Sequence, residues 1–139
     1  MVTCGGQVGH GRGYLRDCKQ LGQDGSIWQN GPSMLKKRGL FTLTNLNDTV
    51  YAIGGRGGSG SQNTMETRTM ETNWVSSNIP FSVEYHCTTK YSDHELIVLG
   101  GHQSGVSKSK ILIMFKIFFH LKTNLLSHFF CFFIQTISF

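Results

Sequence analysis

Pairs of adjacent glycines recur along this chain at nearly equal intervals, and this repeat limits the possible folds more than any other feature. The pairs follow short apolar runs and are separated by 49 and 46 residues, at Gly5-Gly6, Gly54-Gly55 and Gly100-Gly101. Trp28 and Trp74 are 46 residues apart, and each precedes the next glycine pair by 26 residues. A period of this length indicates one supersecondary unit per repeat. Because packed strands do not absorb insertions as loops do, the constant Trp-to-Gly distance predicts a fixed structure between them.

Each period predicts four strands. Residues 39–46 and 49–53 form two strands joined at Asn47-Asp48, a dipeptide typical of tight hairpins. The same layout returns as residues 86–91, the turn Ser92-Asp93 and residues 95–99. Two more short strands are predicted after the first two glycine pairs, around residues 17–21 and 64–69 and then around each tryptophan. With 17 glycines, 2 prolines and short β-branched runs between them, the chain is predicted to be all-β.

The residues that carry the repeat resemble those of kelch proteins. The resemblance covers about residues 1–110 and is carried by Val50-Tyr-Ala-Ile-Gly-Gly55, Thr64-Met-Glu66, Glu71-Thr-Asn-Trp74 and Leu96-Ile-Val-Leu-Gly-Gly101. It implies part of a β-propeller with four-stranded antiparallel blades near residues 1–31, 39–78 and 86–110. In this family the double glycine ends the second strand, the tryptophan opens the fourth, and we expect both tryptophans to pack between blades. Arg68 stands where the family often has tyrosine, and the first repeat has Cys18 in that region, so the third strands depart from the family pattern.

Residues 111–139 differ from the repeats. They hold eight of the ten phenylalanines, no acidic residue and no glycine. We expect an irregular apolar and basic tail with no specific function, and its composition also fits a mispredicted gene end. Only its first residues have a strand pattern, since Ile111, Ile113 and Phe115 alternate with Leu112, Met114 and Lys116, which predicts a third strand of the last blade. The alternative is a membrane anchor, which Lys116, His120 and Lys122 argue against because a membrane helix needs about 18 or more mostly uncharged apolar residues.

The kelch resemblance implies a non-enzymatic scaffold that binds a protein partner, such as a substrate adaptor or a cytoskeleton-associated protein. In the family, loops between strands gather on the faces around the central channel, which implies contact loops at residues 6–16, 55–63 and 80–85. Arg12, Arg38 and Arg56 are the candidate polar contacts. The alternative is a fragment of a secreted kelch-type enzyme such as a copper-radical oxidase, although Tyr51, Tyr85, Tyr91 and Cys87 show no matching motif.

Other chemistries have weaker signals. Residues 55–60 fit the GxGxxG pattern of dinucleotide-binding proteins, but no helical pattern follows the last glycine. His86, His94 and His102 recur at intervals of eight without the geometry of a common site. The side chains of His86 and Cys87 would point to opposite sides of a strand, so they are not a catalytic pair, and Cys87 is expected to be buried. We therefore expect no cofactor, metal or small-molecule substrate.

The net charge of +5 does not predict nucleic-acid binding. Up to Glu95 the chain has nine Lys or Arg against eight Asp or Glu, and the excess comes from four lysines beyond it. A nucleic-acid binder would concentrate basic residues on its folded surface. The only compact basic run, Lys36-Lys37-Arg38, is typical of a solvated loop.

The cysteines leave the compartment open. Cys4 and Cys18 are predicted on adjacent antiparallel strands, within disulfide reach, and the alternatives are a disulfide or two buried thiols. The N-terminal residues lack the pattern of a signal peptide, which favours the cytoplasm unless the true N-terminus is missing. A disulfide would instead favour a secreted or luminal protein.

Overall fold

The structure is a computed structural model that describes residues 1–9, 13–22, 24–103, 112–118 and 131–137. These residues form three antiparallel sheets that follow one another along the chain, and one short hairpin. The described part of the chain has no α-helix, which confirms the all-β prediction. Accordingly, it contains no helix that is long and apolar enough to cross a membrane.

The first sheet has three strands in sequential order, β1 (Val2–Cys4), β2 (Cys18–Leu21) and β3 (Trp28–Gly31). The second sheet is a four-stranded meander interrupted by a hairpin of β6 and β7. Its strands pair in the order β4 (Thr42–Leu46), β5 (Thr49–Ile53), β8 (Thr64–Arg68), β9 (Val75–Asn78), and the hairpin consists of β6 (Arg56–Gly57) and β7 (Gly60–Ser61). The turn between β4 and β5 is at Asn47-Asp48, as predicted, and both residues have positive φ, which Asn and Asp tolerate.

The third sheet extends into the segment that we expected to be irregular. Its order is β10 (Cys87–Ser92), β11 (Glu95–Leu99), β12 (Leu112–Phe118) and β13 (Cys131–Ile137). The prediction that the first tail residues complete a third strand of this sheet is confirmed at β12, whereas the prediction of an irregular tail is wrong for residues 131–137. The free edge of β11 accepts β12 in an unbroken antiparallel register from Glu95–Phe118 to Leu99–Met114. Residues 111, 119–130 and 138–139 lie outside the described residues.

The two Trp-to-Gly segments have equal lengths in sequence, but the second is one residue shorter before β10 and one residue longer within it. Leu40 and Tyr85 occupy equivalent backbone positions, both with φ of 57°, and are 45 rather than 46 residues apart. The missing residue is restored within β10, where the pairing with β11 shifts between Lys90 and Ser92, so that Tyr91 forms a bulge. The interpretation of a fixed intervening structure is therefore wrong. The bulge also moves the turn from the predicted Ser92-Asp93 to residues 93–94.

The three sheets stack through two apolar clusters, and the alternation of side chains along β5 supplies both. Val50 and Ala52 belong to the cluster that joins the second sheet to the first, with Cys4, Cys18, Met34 and Trp74. Tyr51 and Ile53 belong to the cluster that joins the second sheet to the third, with Leu96 and Val98. Since neighbouring residues of a strand face opposite sides, the central sheet is buried on both faces.

Each glycine pair directly follows β1, β5 or β11 and lets neighbouring sheets approach closely. Gly54 has a φ of 57°, and a Cβ added to it would lie 2.5 Å from the carbonyl oxygen of Val83. Gly55 has a φ of 91°, and a Cβ there would lie 2.5 Å from Cβ of Phe41. Only glycine satisfies both requirements, because other residues rarely adopt this backbone conformation and would clash.

The two tryptophans are equivalent by register but differ in burial. Trp74 is 4% exposed, and its Nε1–H donates a 2.8 Å hydrogen bond to the carbonyl of Pro32, the residue directly after the last strand of the first sheet. Trp28 is 43% exposed, so the prediction that it packs between blades is wrong. The reason is that the described residues place no sheet against the face of the first sheet on which Trp28 lies.

Trp74→Ala is expected to lower the free energy of unfolding by about 3–5 kcal/mol, because it empties a buried site and removes a hydrogen bond. Trp28→Ala serves as the matched control and is expected to cost about 1 kcal/mol or less, as is usual for exposed positions. Urea unfolding of both variants measures the difference. Equal losses would contradict the arrangement of the sheets.

Candidate functional site

Five connections gather at one end of the three sheets, which we call the loop end. Its described residues are 5–9, 13–17, 32–41, 54–63, 79–86 and 100–103. This follows from the topology, because each glycine pair ends a strand where the next strand of its sheet begins. The three predicted contact loops therefore lie together, although residues 10–12 lie outside the described residues, and Arg12 with them.

Backbone hydrogen bonds between neighbouring repeats fix the loop end. Gly6 N–H donates to the Arg38 carbonyl at 2.8 Å, and Gly55 N–H donates to the Val83 carbonyl at 2.7 Å. A second type of link is a pair of reciprocal bonds, of 2.9 and 2.7 Å between Gly39 and Arg56, and of the same two lengths between Glu84 and His102. The loops are consequently part of the sheet stack rather than independent segments.

A buried ion pair holds the connection between the first and second sheets. Arg38 and Glu66 have fully buried side chains, with Nη2 of Arg38 2.8 Å from Oε1 of Glu66. Arg38 also donates to the carbonyls of Gly54 and Thr64, at 2.7 and 2.9 Å, and to the Thr64 hydroxyl at 2.9 Å. Burial lowers the pKa of the Arg38 guanidinium, and the hydrogen bond and charge of Glu66 oppose this shift.

Arg38 therefore cannot contact a partner, and its prediction as a polar contact is wrong. The basic run suggested a solvated loop, but the third residue of the run turns inward to a carboxylate 28 positions later in the chain. Glu66 was missed as its counterpart. Its place in the Thr64-Met65-Glu66 motif, as the one acidic residue of the strand predicted at residues 64–69, was the signal that could have indicated a buried charge.

Arg56, the third predicted contact, lies at the loop end with a side chain that is 43% exposed. Its Nη1 is 3.1 Å from Oε1 of Glu84, a carboxylate that is fully buried. His102 Nδ1 is 3.3 Å from the same oxygen, and the His102 side chain is 49% exposed. One buried carboxylate thus orients two polar side chains that come from equivalent positions, each directly after a glycine pair. The sequence predicted neither Glu84 nor its contact with His102, because their proximity depends on stacking of the second and third sheets.

Tyr85 is the exposed aromatic residue beside this group. It is 66% exposed and directly follows Glu84. Its φ of 57° is uncommon for a residue other than glycine. Its N–H donates a 3.0 Å hydrogen bond to the carbonyl of Leu40 in the preceding repeat, so the backbone beneath the ring is fixed.

The glycine-rich stretch at residues 55–60 forms the β6–β7 hairpin instead of a loop before a helix. Gly60, the last glycine of the pattern, begins β7 and pairs with Gly57. The arrangement needed to bind a pyrophosphate at a helix N-terminus is therefore not present in this part of the chain. The hairpin is instead attached to residues 32–41, through Gly39 and through a 2.8 Å hydrogen bond from Gln62 Nε2 to the Lys37 carbonyl.

Three of the four cysteines form a linked pair and one exposed residue. Cys4 and Cys18 oppose each other on β1 and β2, with Cα atoms 4.0 Å apart, and form a disulfide that packs in the cluster between the first two sheets. Cys87 is free and exposed, so its prediction as a buried residue is wrong. Cys87 begins β10, in which successive side chains point to opposite faces of the sheet. Its neighbours His86 and Thr88 face the second sheet, where both lie near Thr42.

The three regularly spaced histidines lie in different environments. His86 is buried, His94 is in the exposed turn after β10, and His102 is at the loop end. Within the described ranges, no group of three or more His, Cys, Asp or Glu residues could hold a metal ion. His86 Nε2 is 3.0 Å from the Thr42 hydroxyl, which is 2.7 Å from the Thr88 hydroxyl. This polar chain links β4 to β10.

Burial lowers the pKa of His86 from 6.5 to about 4, and the Ile53 backbone partly opposes the shift. The folded protein therefore keeps this imidazole neutral at pH values where the unfolded chain is already protonated.

Comparison with known proteins finds no match, either among protein-family models or among curated proteins.

Glu66→Gln is expected to lower the free energy of unfolding by about 3–5 kcal/mol, because the Arg38 charge would remain buried without its counter-ion. Glu71→Gln makes the same chemical change at an exposed position and is expected to stay within about 0.5 kcal/mol of the original chain. Urea unfolding at neutral pH compares the two. A small effect of Glu66→Gln would show that the ion pair does not anchor the loop end.

The His86 pKa predicts a pH dependence of stability. Because the unfolded state binds the proton more tightly, the free energy of unfolding should fall as the pH is lowered from 6.5 to about 4. His86→Gln should remove this component of the slope, whereas His94→Gln in the exposed turn should leave it. Thermal unfolding across this pH range measures the slopes, and identical slopes for all three proteins would contradict the assignment.

Proposed function

We propose that this chain is part of a kelch-type β-propeller and that it acts as a non-enzymatic scaffold, binding a protein partner through the loop end. The repeat of strand, glycine pair, strand and tryptophan supports the kelch assignment, together with sheets that stack in sequence order. The observation that carries the binding proposal is that Arg56, Tyr85 and His102 are exposed on a backbone that inter-sheet hydrogen bonds hold in place.

These side chains suit a protein interface. Tyrosine and arginine are enriched among residues that dominate binding energy, since both supply large contact areas together with hydrogen bonds. Glu84 orients Arg56 and His102 before a partner arrives, which reduces the conformational entropy lost on binding. The substrate-adaptor and cytoskeletal roles of the kelch family are the contexts in which we place this activity.

Tyr85→Gly is the sharpest test, because it removes the exposed ring while glycine adopts the positive φ of this position without strain. The variant should therefore be at least as stable as the original chain but bind its partner about tenfold more weakly, as expected for the loss of an interface anchor. The partner is first identified by a photo-crosslinker placed at position 85 of the full chain. Its affinity for both purified proteins is then measured by calorimetry.

Ser76, exposed on β9, provides the control position for the crosslinker. Crosslinking at position 76 but not at position 85, or unchanged affinity of Tyr85→Gly, would overturn the proposed binding site. The alternative of a copper enzyme is tested on the same purified chain by copper titration. Stoichiometric copper binding with oxidase activity would replace the scaffold proposal.

A further inference from the structure

A groove separates the β6–β7 hairpin from residues 32–41 at the loop end. Its volume is about 340 Å³, and its lining is polar and lacks aromatic side chains: Lys36, Lys37, Gly58, Ser59, Ser61, Gln62 and Asn63. Gly58 offers free space, since a Cβ at this position would meet no atom within 4 Å. The groove is therefore open, basic on one side and formed mainly by small polar residues on the other.

The backbone that carries the two lysines is fixed from beneath. The buried Glu66 carboxylate accepts hydrogen bonds from Leu35 N–H at 2.6 Å and from Lys36 N–H at 3.0 Å. The amide of Gln62 donates to the Lys37 carbonyl at 2.8 Å. The backbone that carries both lysines is therefore rigid, and this lowers the entropic cost of directing their ammonium groups to a ligand.

The positive charge at this groove is uncompensated within the described structure. Lys36 and Lys37 are exposed, and neither takes part in the ion pairs formed by the described residues. The carboxylate nearest to them along this network, Glu66, is already neutralised by Arg38. Two adjacent cations therefore face a groove whose remaining lining can donate hydrogen bonds from hydroxyl and amide groups.

We infer that the groove binds an acidic segment of a polypeptide, with side-chain carboxylates placed at Lys36 and Lys37. The inference deepens the proposed function and rests on the loop end being the partner-binding site. Carboxylates match the charge, and the glycine and serine residues of the hairpin leave room for an extended chain. A nucleic acid fits less well, because proteins bind single strands through longer basic tracks with aromatic residues for base stacking. Only two lysines and no aromatic ring line this groove.

The test measures binding of a fluorescent oligo-glutamate peptide to the full chain by anisotropy, with an oligo-glutamine peptide as the neutral probe. The glutamate peptide should bind and weaken as salt is added, since the contacts are charged and exposed. The double variant Lys36→Gln/Lys37→Gln should lower the affinity about tenfold. Lys19→Gln/Lys90→Gln removes the same charge from exposed positions elsewhere and should leave binding nearly unchanged.

A steric variant separates the groove from general electrostatics. Gly58→Phe should narrow the groove without altering the charge, and it is expected to fold normally because its Cβ position is open and its φ is not in the left-handed region. We expect it to weaken peptide binding about as much as the double lysine variant. Circular dichroism verifies that all variants remain folded.

Equal weakening by both lysine pairs, or no effect of Gly58→Phe, would overturn the inference. Tighter binding of an oligothymidylate than of oligo-glutamate would also overturn it in favour of a nucleic-acid site. If the peptide fails to bind while the partner identified at position 85 still does, the acidic-segment inference fails and the scaffold proposal stands. If the Tyr85→Gly test fails as well, both are wrong.

Discussion

The loop end depends on the buried ion pair between Arg38 and Glu66. Removing two charges from water is costly, and the cost is offset only where other hydrogen bonds complete the coordination. Here Arg38 is completed by the Gly54 and Thr64 carbonyls, and Glu66 by the N–H groups of Leu35 and Lys36. One pair of side chains thus joins the connection after the first sheet to the glycine pair of the second.

Stacking of the sheets explains why equivalent residues differ in burial. The central sheet is buried on both faces, so Trp74 packs against the chain that follows the first sheet, whereas Trp28, at the same register position, is exposed. The same holds for the glycines: a Cβ on Gly54 would meet Val83, but a Cβ on Gly100 would meet no atom within 4 Å. Burial in such a stack is therefore set by the neighbouring sheet and not by the repeat motif alone.

The sequence predicted those features that depend on local geometry. The glycine pairs mark strand ends because the backbone there has positive φ, and Asn47-Asp48 marks a hairpin for the same reason. The sequence-based prediction was wrong where the structure depends on residues distant in the chain, or where an insertion offsets a deletion. Arg38 is buried only because Glu66 lies opposite it, and the bulge at Tyr91 offsets a one-residue shortening elsewhere, so that a count of residues shows no change. The strand β12 was foreseeable only in part, because its apolar composition also fits an unstructured tail.

The basic run Lys36-Lys37-Arg38 combines one buried residue of the fold with two exposed residues that we infer to bind a ligand. Arg38 is fully buried and its interactions are all internal, whereas the two lysines before it are exposed on a backbone that Glu66 and Gln62 immobilise. The same carboxylate therefore neutralises the buried charge of Arg38 and fixes the backbone of the lysines that we infer to bind a ligand. Because the lysines contribute no ion pair to the described fold, they remain available to the acidic ligand that we infer, and their backbone is held rigid by residues that the fold already requires.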